Sequence, residues 1–223
     1  MTILAIEFSC AQRSVAVLSG PDHNAQRVES EAVDASSVSG GFSERTGSFG
    51  LIESALRDAG LAREQIMTVA IGLGPGSYTG IRMALAVAQG WQLVREVKLL
   101  GISSAQCIAA EAQRHGLRGP VTVIIDAQRS EFYAATYRIS ETGLSETSPL
   151  AIYSPQSFPE TGSIKAGPDV KKWFPNGTLI FPRARTIARL AAGRSDFIEG
   201  PGLEPIYLRE TAFVKARTVS TIR

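Results

Sequence analysis

Short apolar runs rich in β-branched residues occupy positions 3–8 and 14–18, with a polar turn at 9–13 between them, and they predict a β-hairpin. A third run at 28–33 predicts another strand, followed by a Ser/Gly-rich loop at 36–41. Phe42, Phe49, Ile52, Leu56 and Ala59 then fall at helical spacing and stop at Gly60, which predicts an amphipathic helix with its apolar stripe on a core. Residues 68–73 read as a buried strand and 98–102 as another, and 104–115 read as a helix capped by Ser103 or Ser104. The pattern then restarts with a strand at 121–126, a turn at 127–130, a strand at 131–138 and a third around 147–153. Past residue 154, Pro155, Pro159, Pro168, Pro175 and Pro182 cut the chain into short pieces. These predict strands at 163–166 and 178–181, a helix at 185–192, an extended piece at 204–209 and a mobile polar tail from 211 to 223.

The stretch 68–94 departs from ordinary amphipathicity. Its strand ends in Gly74-Pro75-Gly76, which requires special backbone angles, and Ser77 or Thr79 can cap the helix that follows. From Ile81 to Val94 only Arg82, Gln89 and Gln92 are polar, so the helix is apolar nearly all round. Gly80, Ala84 and Ala88 recur every fourth residue and form a flat row for close packing. Either a partner chain covers this helix or its own domain encloses it.

Strand order and helix placement in the first half match half of a ribonuclease-H-like or actin-like unit, and the restart at residue 121 suggests a second, related lobe. The expected division is 1–118 and 119–210, with 211–223 as tail. Nucleotide enzymes of this type hold phosphates at glycine-bearing hairpin turns, but the turn at 9–12 carries no glycine and none follows Asp126 directly. The glycine loop fits no other catalytic spacing. Ile81 and Arg82 stand where a P-loop needs Lys and Ser or Thr, and Gly74, Gly76 and Gly80 are one residue too widely spaced for a dinucleotide fingerprint. Ser77 follows a glycine directly, so a nucleophile elbow fails as well.

Composition narrows the class. The 223 residues are 44% hydrophobic and 20% charged with a formal charge of +2, and no Lys/Arg block forms a phosphate-binding patch in the linear sequence. Cys10 and Cys107 are far apart, and the first acid comes too early for a signal peptide. No uninterrupted apolar run is long enough to span a bilayer. The expected location is the cytoplasm, with no membrane contact. His23 and His115 lack partners at ligand spacing, so no metal site is expected. Glu7, Asp126 and Glu131 either meet in an inter-lobe cleft or serve as structural hydrogen-bond acceptors. No cofactor and no catalytic residue are assigned.

The segment Gly74-Pro75-Gly76-Ser77-Tyr78-Thr79-Gly80-Ile81-Arg82 resembles the signature of the TsaB (YeaZ) family of tRNA threonylcarbamoyladenosine biosynthesis. Residues 3–7, 125–133 and 204–209 agree with it. The resemblance implies a two-lobed actin-like (ribonuclease-H-like) ATPase fold with a degenerate nucleotide site. It implies a non-catalytic scaffold that pairs with TsaD, a relative of the same fold that transfers the threonylcarbamoyl group to the adenosine following the anticodon. The ATPase TsaE docks on that pair, and tRNA is met only indirectly. Independently of the resemblance, the apolar helix leaves two states open for the chain alone, a monomer or a homodimer that covers the same face. The family's pairing surface, on its first two helices, maps here to Phe49, Glu53, Arg82, Met83, Ala84, Val87, Ala88 and Trp91. The loop residues Gly74, Pro75, Gly76, Ser77, Thr79 and Gly80 are assigned a structural role. Departures are Glu7 for the usual Asp, no histidine between residues 24 and 113, and Ser130 for the glycine after the second-lobe arginine. They weaken a residual ATPase activity and leave the scaffold role intact. The alternative is a stand-alone actin-like ATPase or kinase.

Overall fold

Two five-stranded sheets of the same connectivity organise the computed structural model, which describes residues 1–20, 27–34, 47–159 and 161–209. The first contains β1 (Thr2–Glu7), β2 (Arg13–Ser19), β3 (Arg27–Asp34), β4 (Thr68–Gly72) and β5 (Lys98–Ile102) in the order β3-β2-β1-β4-β5. β1, β2 and β3 pair antiparallel, whereas β4 and β5 join in parallel. The second contains β6 (Gly119–Gln128), β7 (Glu131–Ile139), β8 (Leu144–Tyr153), β9 (Ile164–Gly167) and β10 (Thr178–Leu179) in the order β8-β7-β6-β9-β10. Its pairings repeat the first sheet's, antiparallel and then parallel. The duplication read from the restart at residue 121 is therefore a duplication of topology, and the fold is of the ribonuclease-H-like, actin-like class.

Parallel neighbours require crossovers, and the two halves make them differently. In the first half α1 (Ser48–Asp58) and α2 (Tyr78–Val94) carry the chain between strands. In the second half Pro155, Pro159, Pro168 and Pro175 forbid helices of that length, and the crossovers shrink to loops and a short 3-10 turn at 170–172. Phe158, Trp173 and Phe174 cover that sheet face by packing around the buried ring of Phe132, with centroids 5.2–5.6 Å away.

Strand alternation divides the first sheet into two buried faces. Leu4, Ile6, Val15, Val17, Val69 and Ile71 meet α1 and α2, whereas Ile3, Ala5, Ala16, Leu18, Ala70 and Leu100 meet α4 (Ala184–Ala191). The second sheet is covered by α3 (Ser104–Arg114), which directly follows β5 of the first. The chain thus exchanges helices, because α3 leaves the first half to cover the second sheet and α4 returns to cover the first. This packing crosses the 118/119 division. Apart from the first helix, whose expected start at Phe42 falls outside the described residues, the predicted strands and helices appear within three residues of their expected bounds. The piece at 178–181 shortens to two residues, and the piece at 204–209 belongs to no sheet. Phe42, the 36–41 loop and the 211–223 tail lie outside the described residues.

Candidate functional site

The glycine loop is a joint between the first hairpin and α2. Ser77 N donates to Ser9 O at 2.6 Å, and Ser104 N donates to Gly74 O at 2.8 Å. Ser77 also caps α2, its Oγ accepting from Gly80 N at 3.2 Å. The glycines are dictated by contact as much as by conformation. A Cβ on Gly76 would lie 2.1 Å from Ser9 O, and one on Gly80 would lie 2.0 Å from Phe8 O. The backbone of the 8–9 turn is thus pressed against the start of α2.

Glu7 sits behind that turn with no exposure. It accepts from Ser9 N at 2.7 Å and Ser104 Oγ at 2.9 Å, and a Cβ on Gly72 would meet its Oε2 at 2.0 Å. Burial raises its pKa above the usual 4.5, against the lowering effect of hydrogen bonds from Ser9 and Ser104. Structural acceptor is the role this geometry fits.

A cleft of about 590 Å³ lies between the loop and the second sheet, lined by Ser9, Cys10, Tyr78, Thr79, Asp126, Asp169, Tyr207 and Arg209 among others. Of the three acids singled out by sequence only Asp126 lines it. Asp126 takes the Lys172 ammonium at 2.7 Å, and Glu131 is bonded to Arg209. Asp169, which accepts from Asp126 N at 3.3 Å, was not legible as a cleft residue because it follows Pro168 in an irregular segment. Burial raises the Asp169 pKa, the hydrogen bond from Asp126 N opposes the rise and the Asp126 charge adds to it. Burial likewise pushes the Cys10 thiol up, further helped by the Glu7 charge. The turn after Asp126 is made by Gln128, Arg129 and Ser130, all left-handed with φ between 54° and 62°. Three side chains stand where a phosphate loop needs bare backbone. Among the described residues no cluster of three or more His, Cys, Asp or Glu is placed to hold a metal.

The second feature is a groove of about 400 Å³ between α1 and α2, lined by Phe49, Ile52, Ala86, Val87, Gly90, Trp91 and Val94, with Arg63, Glu64 and Arg95 along its rim. Phe49 is 70% exposed and Val94 84% exposed, an apolar surface beyond what isolated surface residues explain. Glu53 is paired with Arg63 at 2.8 Å, and Arg82 donates to Tyr78 Oη at 2.9 Å. Phe49, Glu53 and Arg82 are exposed, and Met83, Val87 and Trp91 are half-buried.

Ala84 and Ala88 require correction as surface candidates. Both have zero exposure and pack with Gly80 and Ile81 into the chain's own core. The close-packed row at Gly80, Ala84 and Ala88 lets α2 approach its own sheet. The small residues that face outward are Ala86 and Gly90, two positions further along the helix. Sequence reasoning missed Ala86, Gly90, Leu93 and Val94, because a helix apolar on all sides carries no polar stripe to fix its rotational phase.

Residues 45–198 match the family model described as TsaD, tRNA N6-adenosine threonylcarbamoyltransferase. The chain is 29% identical over 183 residues to the tRNA threonylcarbamoyladenosine biosynthesis protein TsaB of Escherichia coli, a match spanning 71% of this chain and 78% of that protein. It is 30% identical over 100 residues to Bacillus subtilis TsaB, covering 44% of this chain and 42% of that one. The structure of YeaZ from Pseudomonas aeruginosa superposes with a TM-score of 0.76 at 23% identity, over 93% of this chain and 99% of that one. A second Pseudomonas aeruginosa structure, described as similar to peptidase YEAZ, gives 0.78 with the same identity and coverage. These two likenesses concern the fold.

Proposed function

The chain belongs to the TsaB (YeaZ) family, within the wider family that the TsaD model describes, and from that premise we propose that it serves tRNA threonylcarbamoyladenosine biosynthesis as a non-catalytic scaffold. In this reading it pairs with TsaD through α1 and α2 in the cytoplasm and supports threonylcarbamoyl transfer to the adenosine following the anticodon. TsaE docks on the pair, and a second copy covers the same helices when TsaD is absent. In the same reading the lobes are 1–118 and 119–210, with 211–223 as tail.

The observation that carries this reading is the exposed apolar groove on a helix whose start is clamped by Ser77, Gly76 and Gly80. A rigid α2 presenting Val87, Trp91 and Val94 around the small floor of Ala86 and Gly90, with Phe49 of α1 as the facing wall, is pre-organised for another helix. The test is size-exclusion chromatography with light scattering, the chain alone and mixed with the same organism's TsaD. A one-to-one complex is expected from the wild type. Ala86→Glu buries a charge in that interface and weakens pairing by at least about a hundredfold, with circular dichroism unchanged. Undiminished pairing by Ala86→Glu moves the interface off α2. No complex even with nucleotide and TsaE present removes the scaffold reading.

A further inference from the structure

On the face of the first sheet opposite α1 and α2, arginines from two helices converge over two buried acids. Glu31 on β3, its side chain 8% exposed, takes Arg183 at 2.8 Å and Arg185 at 3.2 Å. Glu111 on α3, 2% exposed, accepts from Thr186 of α4 and lies 3.8 Å from Arg114 and 3.7 Å from His115. The hydrogen bond between Thr186 and Glu111 fastens the end of α3 beside α4, which brings Arg114 next to the row formed by Arg185 and Arg189. Residues four apart share a helix face, so Arg185 and Arg189 project together.

The acids lie inside and the guanidinium groups outside. Four arginines surround two carboxylates, which leaves the surface cationic. Arg189 is exposed and its side chain makes no hydrogen bond or ion pair among the described residues, and the Arg114 side chain has only its long contact with Glu111. Burial lowers the Arg189 pKa, and the charges of Arg114 and Arg185 lower it further, against Glu111 and Glu31. Like charges held close with too little counter-charge attract an anion. Every permanent cation here is arginine, whose planar fork matches phosphate oxygens two at a time.

We propose that this arginine face, built from Arg114, Arg185 and Arg189, contacts the phosphate backbone of the RNA substrate directly. The identity of the RNA as tRNA rests on the proposed function; the contact rests on the arginines. Because α4 and α2 lie on opposite faces of one sheet, TsaD on α2 leaves the patch open. The scaffold then holds its catalytic partner on one side and a stretch of substrate backbone on the other.

Fluorescence anisotropy with a labelled, unmodified tRNA transcript tests this, for the chain alone and for its TsaD complex across a salt series. Arg114→Gln/Arg189→Gln is expected to weaken tRNA binding about tenfold near 0.1 M salt and to lower the salt slope by about two. Arg114→Lys/Arg189→Lys, which keeps the charge, is expected to retain the slope. Thermal melts and pairing with TsaD should not change in either variant. Unchanged affinity and slope in the Gln variant overturns the proposal, as does polyglutamate binding as tightly as tRNA, which would assign the patch to an acidic protein. If the chain does not pair with TsaD, the scaffold reading fails by itself. Salt-dependent tRNA binding by the free chain, lost in the Gln variant, still upholds the patch, and absence of that binding overturns it.

Discussion

One substitution made twice in α2, ten residues apart, should have opposite effects. Gly80 and Gly90 lie in the same helix, so Ala for Gly improves intrinsic helix propensity at both by up to about 1 kcal/mol. At Gly90 an added Cβ meets nothing within 4 Å, and this gain stands alone. At Gly80 the Cβ lands 2.0 Å from Phe8 O, a backbone atom of a fully buried residue, whereas ordinary contact begins at 3.4 Å. Either α2 or the 8–9 turn must retreat by more than an ångström. Overpacking of this kind costs about 1–3 kcal/mol. The retreat also strains the bond from Ser77 N to Ser9 O, worth about 1 kcal/mol, and the Ser77 cap, worth about as much. Gly80→Ala is therefore expected to lose about 2–4 kcal/mol and Gly90→Ala to gain about 0.5–1 kcal/mol. For a chain of this size the melting temperature should fall by about 6–12 °C and rise by about 2–3 °C, respectively. Urea denaturation gives both free energies. Should Gly80→Ala unfold within about 0.5 kcal/mol of wild type, the joint described for the glycine loop is wrong. Pairing adds a second axis, because the Gly90 methyl rises from the floor of the groove. Gly90→Ala should stabilise the chain while weakening its TsaD complex about tenfold, a separation that a purely structural role for Gly90 would not produce.

Other consequences follow from the buried acid, the groove and the cleft. The folded chain holds the Glu7 proton above the usual 4.5, so the stability tied to the protonated acid is complete below that value and is lost as pH rises through the folded pKa. Glu7→Gln should therefore gain melting temperature relative to wild type between pH 4.5 and 8, and parallel pH profiles would refute the assignment. Trp91→Ala removes a half-buried aromatic from the groove wall and should weaken pairing by about 2 kcal/mol or more, read by titration calorimetry against TsaD. ATP turnover by the purified single chain should not change in Asp126→Ala, since the turn beyond Asp126 carries side chains where a phosphate would bind. Turnover lost in that variant would instead favour a stand-alone ATPase.

The elements were legible because each was written in local pattern. The hairpin at 3–18, the strands 98–102 and 131–139 and the cap at Ser103 follow from alternation, β-branching and side-chain chemistry that need no distant partner. The exchange of α3 and α4 was not legible, since Ala105 and Ile187 carry no mark of which sheet they will cover. The glycine loop was half legible. Its spacing excluded the known phosphate motifs, but the reason for Gly76 and Gly80 lies with the carbonyls of Phe8 and Ser9, some seventy residues earlier.

The site exposes a deeper limit. In α2 the row Gly80-Ala84-Ala88 and the pair Ala86-Gly90 are both small enough for close helix packing, and a helix without a full polar face gives no local reason to prefer one as the inside. The choice is made by the anchor. Ser77 N on Ser9 O and Gly80 against Phe8 O fix the rotation of the first turn, and each later position inherits it at 100° per residue. Ala84 and Ala88 are thereby turned onto Leu4, Ile6 and Val69, while Ala86 and Gly90 are left outside. The same limit hid the arginine face. Arg114 and Arg189 are seventy-five positions apart and neither belongs to a basic run, so a scan for charge blocks finds nothing. Only the exchange that lays α4 beside α3, locked by Thr186 on Glu111, makes them neighbours. Surfaces assembled by helix exchange are non-local by construction, and in this fold both proposed contacts, with protein and with RNA, are surfaces of that kind or depend on an equally distant anchor.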